Sequence, residues 1–146
     1  MEYSTQAQHP VLEVRHIEKV YGSRNNVTHA LRDVSFSVAQ GDFVGIMGAS
    51  GSGKSTLLNC VSTIDKVMGG SVLINGEDVT RLKSQKLTKF RREQLGFIFQ
   101  DSNLLDTLTA RENIALPLTI SRTPAKETLA RVGEVALRLG IQETLD

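Results

Sequence analysis

The sequence of 146 residues has little of several features that mark specialised classes of protein. Its one cysteine, Cys60, cannot form an internal disulfide. No apolar run approaches the ~20 residues of a membrane helix, and the polar start, MEYSTQAQHP, lacks the apolar region of a signal peptide. The net charge is only +1, so affinity for nucleic acid or anionic lipid cannot rest on bulk charge. These absences predict a cytosolic protein.

The remaining composition is that of an ordinary globular protein. Hydrophobic residues make up 40% and charged residues 23%, which excludes a wholly disordered or a fibrous chain. The length suits one domain and leaves no room for a second independent core. Since the sequence contains no repeat, low-complexity tract or linker, we expect a polar tail at residues 1–10 and a single domain at residues 11–146.

Several segments have the patterns of β-strands and turns. The segments 11–17 (VLEVRHI) and 31–38 (LRDVSFSV) alternate apolar and polar residues, which predicts half-buried strands, and residues 21–29 between them have turn chemistry. The short apolar runs at 42–47 (DFVGIM) and 95–100 (LGFIFQ) predict buried strands. These strands, with the helices described next, predict a mixed α/β sheet.

Local signals predict a hairpin and the first two helices. Asn75-Gly76 between two apolar stretches is typical of a two-residue hairpin turn. From Lys54, apolar residues recur at helical spacing until the MGG at 68–70 stops the helix. The segment 82–92, LKSQKLTKFRR, predicts a polar surface helix.

Two further helices are predicted from their terminal residues. Thr109 and Glu112 form a capping box at a helix start, and Pro117 is expected to end that helix. Pro124 suits the first turn of the last helix, and Gly140 is expected to cap its end.

Residues 48–55, GASGSGKS, match the phosphate-loop pattern G-x-x-x-x-G-K-[ST], after a predicted strand and before a predicted helix. The glycines allow successive N–H groups to converge on a polyphosphate, and the helix adds its unpaired N-terminal N–H groups. In such a loop Lys54 contacts the β and γ phosphates, and the Ser55 hydroxyl binds Mg²⁺. The alternative, a glycine-rich turn with a chance lysine, is disfavoured by the flanking strand and helix. The predicted nucleotide-binding residues are Gly48, Ala49, Ser50, Gly51, Ser52, Gly53, Lys54, Ser55 and Thr56.

Three motifs, in the same order along the chain, resemble the nucleotide-binding subunit of ABC transporters. They are Tyr21 in KVYG, the phosphate loop GASGSGKST, and Gln100 in FIFQD, and the likeness runs from about Val11 to the last residue. The resemblance implies that ATP and Mg²⁺ are bound and that Tyr21 stacks on adenine. It also implies that Gln100 is a catalytic residue that contacts Mg²⁺ and the attacking water. Taken alone, Tyr21 could be a strand-end aromatic residue and Gln100 a hydrogen-bonded polar residue at a strand end.

The resemblance implies an α/β fold: a P-loop NTPase core with an antiparallel β subdomain and the start of a helical subdomain, incomplete. The family continues with a signature motif, the Walker B aspartate, a catalytic glutamate and a switch histidine, and we expect the domain at 11–146 to be truncated before the signature motif. The missing strands would leave the apolar residues of FVGIM and FIF exposed. The full-length protein would be an ATPase, and the chain alone is expected to be inactive in hydrolysis.

Within the family, residues 62–65 (STID) and 97–118 look most like the bacitracin-resistance type, in the group that also serves lipoprotein release and macrolide efflux. This likeness implies that ATP hydrolysis drives export or removal of a peptide or lipid-like substrate. The implied partners are an integral-membrane permease and a second nucleotide-binding domain, at the cytoplasmic face of the cell membrane. Asp101, Leu104 and Leu105 are candidate permease contacts, and the two leucines are equally well explained as core residues.

Other classes of function fit the sequence less well. DNA-repair and chromosome-maintenance ATPases with a related head domain interrupt the region after the phosphate loop with a coiled coil or zinc module. A soluble kinase or GTPase would not place a hairpin and a FIFQD strand after the phosphate-loop helix. The basic run at 81–92 has only Phe90 as an aromatic, so we expect a solvated helix face and no nucleic-acid partner. His9, His16 and His29 lack ligand-like spacing, so we expect surface histidines and no metal bound by them.

Overall fold

The computed structural model describes residues 10–23, 26–101 and 103–146. The chain divides into two compact units, the first ending at Leu95 and the second beginning at Gly96. The polar tail predicted at 1–10 lies outside the described residues except for Pro10.

The first unit contains a four-stranded antiparallel sheet in the order β2-β1-β3-β4. The strands are β1 (Leu12–Ser23), β2 (Asn26–Val38), β3 (Gly69–Ile74) and β4 (Glu77–Asp78). The central strand β1 pairs with β2 through Val14 and Phe36 and with β3 through Val14 and Val72. The two strands predicted from alternating residues are therefore confirmed.

The segment predicted as a turn at 21–29 is mostly strand. Tyr21 pairs with Thr28, and Ser23 pairs with Asn26, so the turn prediction is wrong for these residues. The reason is that pairing between β1 and β2 continues far beyond the apolar core, and β-branched residues such as Val27 and Thr28 suit an extended chain. Arg24 and Asn25 lie outside the described residues.

The turn between β3 and β4 confirms the predicted hairpin. Asn75 has φ of 50° and Gly76 has φ of 80°. A type I′ turn needs positive φ at both positions, and asparagine and glycine are the residues that adopt it most easily. The Ile74–Glu77 pair closes the hairpin.

The core of the first unit lies between the sheet and two helices, α1 (Lys54–Val61) and α2 (Ser84–Gln94). The helix predicted from Lys54 and the surface helix predicted at 82–92 are confirmed. However, α1 ends before Ile64, because Thr63 has a left-handed φ of 63° that a helix cannot continue through. The buried core residues are Val14, Ile17, Leu31, Cys60, Val72, Ile74, Val79 and Phe90.

The two segments predicted as buried strands, 42–47 and 95–100, do not form strands. Neither segment pairs with any strand of the described residues. A strand without a paired neighbour lacks the hydrogen-bond ladder that would hold it, which explains the difference. Phe43, Met47 and Ile98 are almost fully exposed. The exposure of FVGIM and FIF agrees with the expectation from the family resemblance.

The second unit contains two helices, α3 (Ala110–Ile120) and α4 (Ala125–Leu139). Its small core is formed by Val132, Ala136 and Leu145. Pro124 lies immediately before α4, and Gly140 ends it with a left-handed φ of 67°, as predicted. No helix in the described parts of either unit is long and apolar enough to cross a membrane.

The start of α3 confirms the predicted capping box, whereas its end does not follow the prediction. The Glu112 N–H donates to Thr109 Oγ1 at 3.2 Å, and the Thr109 N–H donates to Glu112 Oε2 at 2.8 Å. Pro117 lies inside the helix and does not end it. Although a proline removes one N–H donor and crowds the preceding turn, helical hydrogen bonding resumes after it, since the Ser121 N–H donates to the Pro117 carbonyl at 3.1 Å.

Candidate functional site

The phosphate-loop residues form a tight turn that leads into α1. Gly51 and Gly53 have φ of 78° and 89°, and residues with a Cβ atom rarely adopt this backbone conformation. A Cβ on Gly53 would lie 2.5 Å from the carbonyl oxygen of Ala30. The loop is therefore pressed against β2 at a point where only glycine fits.

The start of α1 presents several backbone donors with no partner among the residues that the structure describes. Gly53 precedes the helix without a side-chain cap, and no acidic residue lies in the first turn. In the described part of the chain, Ser52 is the one loop residue whose N–H has an acceptor, the Ala49 carbonyl at 3.2 Å. Within the described residues, the N–H groups of Gly51, Gly53, Lys54, Ser55 and Thr56 have no acceptor. Unpaired donors and the positive end of the helix dipole suit this site to an anion.

The Lys54 side chain folds back across the loop. Its Nζ donates to the carbonyl oxygens of Gly48 and Ala49, each at 2.8 Å. The ammonium group is thus already held beside the unpaired N–H groups, and the Ser55 hydroxyl lies exposed one residue later. Unpaired N–H donors, one fixed cation and a nearby hydroxyl are groups that suit a polyphosphate with Mg²⁺. The residues present therefore fit the predicted ligand.

Tyr21 lies near the end of β1 and is held by a carboxylate. Its hydroxyl donates to Asp65 Oδ2 at 2.8 Å, and 42% of the residue remains exposed. The hydrogen bond to the Asp65 carboxylate and partial burial raise the pKa of Tyr21, with a smaller opposing effect from the Thr56 hydroxyl. The Tyr21 hydroxyl is therefore fixed by Asp65, while part of the residue stays accessible.

The sequence reasoning missed the two charged residues behind Tyr21. Lys19 is buried, and its Nζ donates to Asp65 Oδ1 at 2.6 Å and to the Lys66 carbonyl at 2.7 Å. Asp65 is 46 residues away in the sequence, so no local pattern joins the pair. The position of Lys19, two residues before Tyr21 on one strand, was the one available signal, since such residues share a face.

The other predicted site residues belong to the second unit. Gln100 and Asp101 are exposed and lie in a bend outside regular structure. Leu104 and Leu105 are exposed, so the alternative that they are core residues of this unit is wrong. The roles predicted for these four residues in water activation or permease contact remain predictions.

The described histidines do not gather into a metal site. His16 and His29 are exposed, as expected for surface residues, and His9 lies outside the described residues. Among the described residues, no group of three or more His, Cys, Asp or Glu side chains is arranged to hold a metal ion.

Comparison with known proteins defines the class of this site. Two solved structures of MJ0796 match the chain. One, described as a bacterial ABC transporter cassette, has a TM-score of 0.82 and 35% identity, and the match covers 92% of this chain and 60% of that one. The other, described as a post-hydrolysis state bound to ADP and Pi, has a TM-score of 0.77 and 38% identity, and the match covers 84% of this chain and 54% of that one. Both are described as dimeric. The α/β P-loop fold expected from the sequence is therefore confirmed: the chain is a P-loop ATP-binding cassette.

Sequence relatives then identify the family. The profile described as ABC transporter matches residues 31–146. The bacitracin export ATP-binding protein BceA of Halalkalibacterium halodurans is 51% identical over 136 residues, which are 93% of this chain and 54% of that protein. The macrolide export ATP-binding/permease protein MacB of Aggregatibacter actinomycetemcomitans is 41% identical over 131 residues, which are 90% of this chain and 20% of that protein. The chain belongs to the ABC transporter ATP-binding family. It spans about half the length of relatives such as BceA.

Proposed function

We propose that this chain supplies the ATP-binding part of an ABC transporter subunit and that residues 48–56 hold the phosphates of ATP. The observation that carries the proposal is the set of N–H groups in the loop and the first turn of α1 that have no acceptor among the described residues, beside the Lys54 ammonium. A site made of donors and one positive charge favours a polyanion over any neutral ligand. The exposed ring of Tyr21 offers a surface on which adenine stacks.

Each residue of the loop has a distinct part in this proposal. Lys54 exchanges its two carbonyl partners for oxygens of the β and γ phosphates, which are stronger, charge-assisted contacts. The backbone N–H groups orient the phosphate chain, and the helix dipole favours its negative charge. The Ser55 hydroxyl would hold Mg²⁺, which when bound neutralises charge on the phosphates. The roles that the family resemblance implies for Gln100, toward Mg²⁺ and the attacking water, stay predictions.

For the whole protein, we propose ATP hydrolysis coupled to export or removal of a peptide or lipid-like substrate. The 51% identity to a bacitracin export protein supports the exporter class and a peptide-like substrate. The joined ATP-binding and permease parts of MacB support a membrane permease as partner, and the dimeric cassettes support a second nucleotide-binding domain. These partners would hold the subunit at the cytoplasmic face of the membrane.

The test is titration calorimetry of the chain with ATP in the presence of Mg²⁺, before and after Lys54→Ala. We expect the substitution to weaken ATP binding by at least about 100-fold, because it removes the only side-chain cation on the loop. The matched control is Lys126→Ala, which removes an exposed lysine from the first turn of α4. This control should leave the affinity unchanged.

The proposal predicts that ATP affinity depends on Lys54 and does not depend on Lys126. Equal affinities for the unsubstituted chain and Lys54→Ala would show that the loop does not bind the phosphates. Equal losses in both variants would show a nonspecific effect of net charge.

A further inference from the structure

Lys19, Asp65 and Tyr21 form a connected cluster beside the phosphate loop. The Asp65 carboxylate accepts from Lys19 Nζ and from the Lys66 N–H through Oδ1, at 2.6 and 2.7 Å, and from the Tyr21 hydroxyl through Oδ2, at 2.8 Å. Lys19 Nζ also lies 5.0 Å from the centre of the Tyr21 ring. Both carboxylate oxygens therefore have donors, and the Tyr21 ring is held through its hydroxyl and along one face.

The burial of Lys19 needs an explanation beyond packing. Only 8% of the residue is exposed, whereas lysine is among the residues that are almost never buried unless paired. Removing an ammonium group from water is costly, and an apolar residue of similar length would fill this space at lower cost. The arrangement restrains the Tyr21 side chain, because the Lys19 ammonium lies over the ring and the Asp65 carboxylate accepts a hydrogen bond from the hydroxyl.

The cluster is joined to the phosphate loop through α1. Asp65 follows the helix closely, and its N–H donates to the Asn59 carbonyl at 3.0 Å. At the other end, the first turn of α1 bears Lys54 and Ser55. A helix of eight residues is a rigid spacer of about 12 Å, so the position of Asp65 is fixed relative to the loop. The carboxylate can thereby fix the distance between the phosphate-binding groups and the Tyr21 ring.

We propose that Lys19 and Asp65 are positioning residues that hold the partly exposed Tyr21 ring, with Lys19 over one face, as a pre-formed surface for the adenine base. This inference rests on the proposed binding of ATP by residues 48–56. A ring fixed before binding loses less conformational freedom when the base stacks on it, so affinity is gained without a new contact. Lys19 and Asp65 act through Tyr21 and do not touch the nucleotide.

The test compares ATP with inorganic triphosphate, which offers the three phosphate groups without the ribose and the base. Calorimetry with Mg²⁺ would measure both ligands on the unsubstituted chain, Lys19→Met, Asp65→Asn and Tyr21→Phe. We expect ATP affinity to fall about 3- to 10-fold in Lys19→Met and Asp65→Asn, near the lower end of the roughly 5- to 150-fold available from base stacking, while triphosphate affinity stays unchanged. Tyr21→Phe keeps the ring and removes only the hydroxyl, so its ATP affinity should fall by a smaller factor.

The matched control is Arg15→Gln. Arg15 is a cation on the same strand that also binds a carboxylate, Glu13, at 2.7 Å, but it lies outside the cluster. Its loss should change neither affinity. Circular dichroism on every variant confirms that the fold is retained, and Tyr21→Phe covers the case in which the Lys19 or Asp65 variants fail to fold.

A second measurement needs no nucleotide. The chain contains two tyrosines, so tyrosine-selective ¹³C NMR gives two signals, and Tyr21→Phe assigns them. We expect Asp65→Asn to lower the pH at which Tyr21 titrates, since the carboxylate stabilises the protonated phenol.

The outcomes separate this inference from the proposed function. If ATP affinity falls in Lys19→Met and Asp65→Asn while triphosphate affinity stays unchanged, Lys19 and Asp65 position the ring that binds the base. If both affinities fall together, the cluster is only structural and the inference is overturned. If neither changes, the ring needs no positioning and the inference is likewise overturned. Failure of the unsubstituted chain to bind either ligand would instead overturn the proposed function, and the inference with it.

Discussion

The phosphate loop at 48–53 and the apolar segment at 43–47 adjoin in the sequence, yet their structures are determined in different ways. The loop takes its shape from its own glycines, from Lys54, and from one close contact with β2. The apolar segment has the composition of a buried strand but has no paired neighbour in the described residues, and Phe43 and Met47 are exposed. Local chemistry is sufficient to shape the loop, whereas a strand depends on residues elsewhere in the chain.

The largest expected effect separates a residue of the buried core from a residue of the exposed apolar segment. Ile17→Ala should lower the free energy of unfolding by about 2–5 kcal/mol, because Ile17 is completely buried in the first core. Phe43→Ala removes a larger side chain, yet we expect a change within about 0.5 kcal/mol, because Phe43 is fully exposed. Urea unfolding followed by circular dichroism measures both. A large loss in Phe43→Ala would show that the segment is packed in solution, and the comparison would fail.

Paired glycine substitutions test the loop against the segment directly. Gly53→Ala should destabilise the protein by about 1–3 kcal/mol from backbone strain and weaken ATP binding, because the new Cβ would lie 2.5 Å from the Ala30 carbonyl. Gly45→Ala is the control, since a Cβ there meets nothing within 4 Å and φ is not positive. It should leave stability unchanged or raise it by up to about 1 kcal/mol. Thermal unfolding and ATP titration of both variants measure these effects. Similar stability and similar ATP affinity in Gly53→Ala and Gly45→Ala would contradict the requirement for glycine at position 53.

The second unit offers a local signal of the same kind as the loop. Thr109→Ala removes the side-chain oxygen that accepts the Glu112 N–H, and we expect a loss of about 0.5–2 kcal/mol in the stability of α3. Thr109→Ser keeps the hydroxyl and should retain most of this stability. Hydrogen exchange of the amides in the first turn of α3 measures the effect, and equal protection in Thr109→Ala and the unsubstituted chain would show that the cap does not contribute.

The parts of the fold that the sequence predicted correctly are those with short-range causes. The Asn75-Gly76 turn, the capping box and the phosphate loop all follow from residues within a few positions of one another. Two incorrect predictions needed non-local information: the continued pairing of Tyr21 with Thr28, and the lack of paired neighbours for segments 42–47 and 95–100 among the described residues. The third, that Pro117 ends α3, gave too much weight to one residue of a helix that continues through it.

The residues of the candidate site also differ in whether the sequence alone could identify them. The loop and its lysine could be identified from a pattern of eight residues, because each N–H group comes from the local backbone. Lys19 and Asp65 could not be joined, because they meet only when β1 packs beside the segment after α1. A partly buried ion pair leaves little trace in a sequence, since its members look like surface residues until a structure shows otherwise.

The non-local contact at Asp65 gives the smallest expected effect, and its pH dependence has a definite sign. Hydrogen bonds from Lys19 and then Tyr21 hold the pKa of Asp65 below its ordinary value. A carboxyl group whose pKa is lowered in the folded state adds stability above its unfolded pKa, near 4, and this contribution is lost as the pH falls through the lower folded pKa. Of the neighbouring groups, Lys19, Tyr21 and the Cys60 thiol titrate far above this range and remain protonated throughout.

The measurement is the urea midpoint of the unsubstituted chain and of Asp65→Asn between pH 7 and the most acidic pH at which both remain folded. At neutral pH the variant should be less stable by about 1 kcal/mol, the upper range for partly exposed ion pairs. The difference should shrink below about pH 4, as Asp65 becomes protonated and the two proteins become alike. Asp146, whose pKa is lowered by Arg111, adds acid sensitivity equally to both and cancels in the difference. A difference that stays constant with pH would mean that the ion pair does not stabilise the fold and that Asp65 acts only through its shape.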